Sequence, residues 1–161
     1  MVAASEVHLW RIAKHTLQYR ADDLSGGGAK ITGGRWNSKG QPVVYAATSI
    51  ALATLETLAH LGDNIAIRNA FLVRVTVPAA IWKQRQIIAP AQLDPTWNAE
   101  PPGSTSVALG DAWLHGAGGA LLLAPSVIVP EEYNVLINPA QVASARITAC
   151  VLRQFIYDPR L

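Results

Sequence analysis

Strands that follow one another with few helices between them set the frame for this chain. From Phe71 to Val77 the residues alternate. Phe71, Val73, Val75 and Val77 fall on one side, and Leu72, Arg74 and Thr76 on the other. That period of two predicts a β-strand, which Pro78 ends. Further strands are expected at His8–Ala13, Val43–Ala47, Ala120–Ala124, Ser126–Val129, Asn134–Ile137 and Cys150–Ile156, with Pro125, Pro130 and Pro139 as punctuation. Helices are fewer. Ile50–Leu61 carries Leu52, Leu55, Leu58 and Leu61 behind the capping pair Thr48-Ser49, with Gly62 placed as a C-cap. A second helix is expected from a Ser104-Thr105-Ser106 cap to about His115, stopped by Gly116, Gly118 and Gly119. Regular βα alternation is absent. The expected fold is therefore α+β, one domain over residues 1–161 built on a mixed or antiparallel sheet.

The connections are long and rich in glycine and proline. Arg20 to Lys39 reads as loop, with Gly26, Gly27, Gly28, Gly33 and Gly34 in quick succession. Residues 79–103 read as loop with a short strand near Gln86–Ala89.

Composition excludes several function classes. Half of the residues are hydrophobic and 15% are charged, so the chain is neither disordered nor a coiled coil. Thirteen basic and eleven acidic residues leave a net charge of +2, too little for a broad basic face on nucleic acid. Cys150 stands alone, which excludes a disulfide framework. His8, His15, His60 and His115 lack ligand spacing, so no metal is expected. Neither a signal sequence nor an apolar run of roughly 18 residues is present, so the expected location is the cytoplasm, away from membranes.

The common catalytic fingerprints also fail. Gly26–Thr32 (GGGAKIT) does not satisfy GxxxxGK[ST], Gly116-Ala117-Gly118 lacks the third glycine of GxGxxG, and GxSxG does not occur. Four residues remain as candidates. Arg35 follows Gly33-Gly34, where a guanidinium and close-approaching backbone N–H groups suit a phosphate; a solvated turn arginine is the alternative. Tyr45 lies in an apolar strand, either packed in the core or offering its ring to a nicotinamide or adenine. Glu56 is the one charged side chain from Thr48 to Ala59. It shares a helical arc with Ala53, Thr57 and His60, and that arc is either a solvent stripe or a cleft wall. Ser126 follows Pro125, as a turn residue or as a donor to a ligand oxygen.

Arg35, Glu56 and Ser126, in this order and these settings, resemble the RES domain. The matching stretches are GGRWNSKGQPVVYAATSIALATLETLAHL (33–61), LGDAWL (109–114), APSVIVPEEYNVLINP (124–139) and FIYDPRL (155–161). The likeness runs from HLWRIA to the C-terminus. It implies a fold similar to ADP-ribosyltransferase toxins. It also implies a bacterial toxin that binds NAD⁺ as substrate and breaks its nicotinamide–ribose bond, neutralised by an antitoxin with an Xre-type helix-turn-helix domain. In that reading Arg35 holds the pyrophosphate with help from Arg11, and Tyr45 packs on the nicotinamide. Glu56 stabilises the ribosyl cation, and Ser126 hydrogen-bonds ribose or the nicotinamide amide. Transfer of ADP-ribose to a protein is the alternative, and a non-enzymatic inhibitory module is a second one.

Overall fold

The computed structural model describes residues 5–61 and 69–161. Seven strands form one sheet: β1 (Val7–Lys14), β2 (Val44–Ala47), β3 (Ala70–Val77), β4 (Gln86–Ile87), β5 (Leu121–Pro125), β6 (Tyr133–Ile137) and β7 (Thr148–Gln154). Their spatial order is β4-β5-β6-β2-β1-β3-β7. Every neighbouring pair is antiparallel except β4 with β5, so the sheet is mixed. Among the described residues four α-helices accompany it: α1 (Gly27–Thr32), α2 (Ile50–Leu61), α3 (Ala79–Lys83) and α4 (Ser104–His115).

The alternation read in the sequence divides the core between the two faces. Leu9, Val44, Ala46, Val73, Val75, Val77, Leu121, Leu123, Val135 and Ile137 make the larger cluster. The residues between them point the other way. Val43, Leu122, Ala124 and Leu136 meet Trp36, Trp97 and Trp113, while Ala47 meets Leu52 and Ala53 of α2 beside Trp10 and Ile12. Register aligns the polar exceptions on this second face: Tyr45 lies opposite Leu136, and Ala47 opposite Asn134.

Ser49 caps α2, its Oγ accepting the Leu52 N–H at 3.1 Å. The leucine stripe is narrower than its spacing suggests. Leu52 and Ala53 are buried, but Leu55 is 40% exposed, because only the first turns lie against the sheet. The expected C-cap, Gly62, lies outside the described residues.

Four local expectations are corrected. The 20–39 stretch contains α1, a single helical segment whose chain enters through Gly26 in the left-handed region at φ 75°. A Cβ on Gly26 would come within 2.6 Å of the Val43 nitrogen. The 79–103 stretch contains α3, five residues started by Pro78 and too short to show a periodicity. The three serine and threonine residues at 104–106 do not cap α4. Gly103 takes the cap position without a side-chain bond, and Ser106 is buried in the first turn. Ser126–Val129 is not a strand. The N–H groups of Ile128 and Val129 both donate to Ser126 Oγ at 3.1 Å, so they are withdrawn from any ladder despite their apolar, β-branched side chains.

Candidate active site

A cleft of about 1170 Å³ opens over the second face of the sheet. Arg11, Arg35, Tyr45, Glu56, His60 and Asn134 are all on its wall. Ala53, Glu56, Thr57 and His60 stand at i, i+3, i+4 and i+7 along α2 and all line this cleft, so the arc is a cleft wall and not a solvent stripe.

Glu56 is held on one oxygen. Its Oε1 accepts Ser126 Oγ–H at 2.6 Å and Asn134 Nδ2–H at 2.7 Å. Among the described residues Oε2 receives no hydrogen bond. Ser126 is fully buried, and its position is fixed three ways. Its own N–H donates to Glu132 O at 2.9 Å, and its Oγ takes the two N–H groups of the following turn. With two acceptor roles filled from the backbone, the hydroxyl proton is directed to Glu56. A turn between β5 and β6, the face of β6 and helix α2 thus converge on one carboxylate. Asn134 did not emerge from the sequence as a site residue. Its signal was a polar residue opening an otherwise apolar strand, eight positions after Ser126.

Tyr45 is pinned at its hydroxyl, which donates to Asn37 Oδ1 at 2.7 Å and accepts the Trp36 N–H at 3.1 Å. Burial pushes its pKa well above the ordinary tyrosine value. The Trp36 amide and the Arg35 charge oppose that shift, and Asp111 adds to it. The phenol is therefore neutral and committed, and the ring is what Tyr45 offers to the cleft. Asn37 is itself buried, its amide donating to the carbonyls of Ala29, Ser38 and Gln41.

The glycines before Arg35 serve a different purpose from an anion cradle. The Gly33 N–H goes to Ala29 O at 2.8 Å and the Gly34 N–H to Asn37 O at 3.0 Å, so neither amide is free for a ligand. Gly34 is needed for packing: a Cβ there would lie 2.9 Å from both Tyr45 Oη and Asn37 Oδ1. Arg35 reaches across to the 97–100 segment. Its Nη1 donates to Trp97 O at 3.0 Å and Ala99 O at 2.8 Å, and its Nη2 to Glu100 Oε2 at 2.8 Å. Arg11 donates to Asp23 O at 3.2 Å. Burial lowers its pKa, with the Asp23 charge acting the other way.

No group of three or more His, Cys, Asp or Glu side chains gathers as a metal site among the described residues. No described helix is long and apolar enough to cross a membrane.

Residues 8–157 match the RES domain family. The chain is 49% identical over 152 residues to the "Prs ADP-ribosylating toxin" of Sphingobium sp. (strain YBL2), covering 94% of each sequence. It is 37% identical over 131 residues to "Toxin Res" of Photorhabdus laumondii, covering 81% of each. It is 38% identical over 157 residues to "Toxin Res" of Pseudomonas putida, covering 95% of this chain and 98% of the relative. With Arg35 and Glu56 on the wall of one cleft, Ser126 buried against Glu56, and relatives matched over most of their length, the chain belongs to the RES domain family of toxins.

Proposed function

We propose that the chain binds NAD⁺ in this cleft and breaks its nicotinamide–ribose bond, with Glu56 as the electrostatic centre. The observation that carries the reading is the double hydrogen bond on Glu56 Oε1, which fixes the carboxylate and leaves Oε2 for the ligand. When the bond breaks, nicotinamide departs with the electron pair and the ribosyl carbon becomes cationic. A carboxylate already oriented by neutral donors stabilises that cation without having to reorganise. Nicotinamide leaves without protonation, so no general acid is required. Tyr45 supplies a ring surface for the nicotinamide, Arg35 and Arg11 supply positive charge for the pyrophosphate, and Ser126 and Asn134 act through Glu56. Holding the ribose against Glu56 converts binding into orientation.

Purified protein incubated with NAD⁺ tests this directly. Release of free nicotinamide is expected, and Glu56→Gln should abolish it. Intact NAD⁺ after prolonged incubation with the wild-type chain, with or without acceptor proteins, would sink the reading.

A second reading concerns what attacks the ribosyl carbon. The Sphingobium relative is named as a toxin that ADP-ribosylates Prs, and 49% identity favours the same transfer here. In that case label from adenine-labelled NAD⁺ enters a Prs-type protein, and nicotinamide release rises when that protein is added. Hydrolysis or phosphorolysis proceeds without it.

As a toxin the chain is paired with an antitoxin. The partner we propose is an Xre-type helix-turn-helix protein in the same cytoplasm, which would carry any operator binding because this chain has a net charge of only +2.

A further inference from the structure

We propose that Glu100 is a built-in competitor for Arg35 that sets the affinity of the cleft for NAD⁺. The proposal rests on the NAD⁺ reading above for its ligand. The geometry itself concerns only an arginine and the group that covers it.

The two parts of the Arg35 contact differ in kind. Both Nη1 protons go to main-chain carbonyls of Trp97 and Ala99. Those carbonyls are fixed. Trp97 is buried and stacks on Trp36, with ring centroids 6.4 Å apart and planes 27° from parallel. The segment also ties itself together: Trp97 N–H donates to Asp94 O at 2.9 Å and Ala99 N–H to Thr96 O at 3.0 Å. This half of the contact aims the guanidinium.

The other half is removable. Glu100 touches Arg35 through one oxygen on Nη2, and its side chain is 77% exposed while that of Arg35 is 14% exposed. Glu100 is also on the wall of the same cleft. Its carboxylate therefore covers the donor that an incoming phosphate needs, and among the described residues no other hydrogen bond anchors it there. A phosphate oxygen pair takes a guanidinium edge bidentately, which one carboxylate oxygen does not match. NAD⁺ entry then swaps one anion for another on Nη2, leaves Nη1 on the carbonyls and frees the Glu100 side chain into solvent.

The experiment compares wild type with Glu100→Gln and Glu100→Ala. It reads KM and kcat for NAD⁺ by nicotinamide release, and Kd for ADP by calorimetry, ADP being the probe that carries the pyrophosphate. Exposed ion pairs are weak, so removing the carboxylate should lower KM and the ADP Kd only about two- to fivefold, with kcat unchanged. In an Arg35→Ala background the same change should have no effect. A Kd that rises or stays constant in both Glu100 variants overturns the proposal and makes Glu100 a loop anchor. Absence of NAD⁺ turnover in every protein overturns the catalytic reading instead, and the ADP arm still decides the role of Glu100.

Discussion

Ser126 Oγ and Asn134 Nδ2 donate to the same oxygen of Glu56, at 2.6 and 2.7 Å. Glutamine preserves that arrangement, because its carbonyl oxygen accepts both bonds while an amide replaces Oε2. Glu56→Gln should therefore fold normally, with Tm changed by no more than about 2–4 °C. Losing a preorganised charge at a developing cation typically costs about 10²–10³ in rate. The variant should bind NAD⁺ and lose toxicity. Full toxicity at equal expression would remove Glu56 from the chemistry.

Ser126→Ala should behave differently, because Ser126 holds its own turn as well as Glu56. The change leaves the Ile128 and Val129 N–H groups without their acceptor and Glu56 with one donor. Orphaning partly buried donors costs up to about 1–3 kcal/mol, so both stability and activity should fall. Denaturant melts and NAD⁺ turnover measured together separate this from Glu56→Gln, where only turnover falls. A stable, inactive Ser126→Ala protein would mean that the turn tolerates the loss and that the hydroxyl serves only to hold Glu56.

How much of this was legible depended on whether the signal was local. Strand β3 and helix α2 were readable because their periods repeat over a whole element, and α2 begins at Ile50, directly behind the expected Thr48-Ser49 cap. Helices α1 and α3 were not, since six and five residues do not complete a pattern. Val127-Ile128-Val129 misled for a physical reason: β-branched side chains favour a strand, but the Ser126 hydroxyl had already taken the N–H groups the ladder needed. At the site, Glu56 was suspected because it was the lone charge of an apolar helix. Its partner Asn134 was not assigned to the site because its side chain meets Glu56 only in the fold, across 78 positions. Arg35 was legible as a cation beside glycines, but its hold on carbonyls more than 60 residues away was not.

Helix α4 reaches the site loop through a contact that only glycine permits. A Cβ on Gly110 would run into the Trp36 carbonyl oxygen and lie 2.6 Å from its carbon. Gly→Ala in a helix interior ordinarily stabilises by up to about 1 kcal/mol. Here the obstacle is backbone, so the helix must move. Asp111, which accepts both the Ser38 N–H at 3.0 Å and Ser38 Oγ–H at 2.6 Å, must move with it. Gly110→Ala should cost about 1–3 kcal/mol or more and lower activity by displacing Arg35 and Trp36. A stabilised variant would show that this close approach relaxes freely.

The pinned phenol of Tyr45 makes stability fall at high pH. In the folded chain burial, first among the causes, holds its pKa well above the value of about 10 expected in the unfolded chain. Below that value both states keep the proton, and the two hydrogen bonds to Asn37 and Trp36 contribute fully. As pH rises past about 10 the unfolded state releases its proton while the folded state retains it, so stability drops with increasing pH. Tyr157 is also shifted upward by burial and adds in the same sense. Denaturant midpoints measured from about pH 9 to about pH 11 should therefore fall more steeply for wild type than for Tyr45→Phe. The variant should start lower, because Asn37 Oδ1 and the Trp36 N–H lose their partner. Phenolate absorbance in the folded wild type should show Tyr45 silent until the chain unfolds. A Tyr45 that titrates near the ordinary value in the folded protein, identified by its loss in Tyr45→Phe, would show that the cleft is wet at this ring and that the hydroxyl is free to act on the ligand.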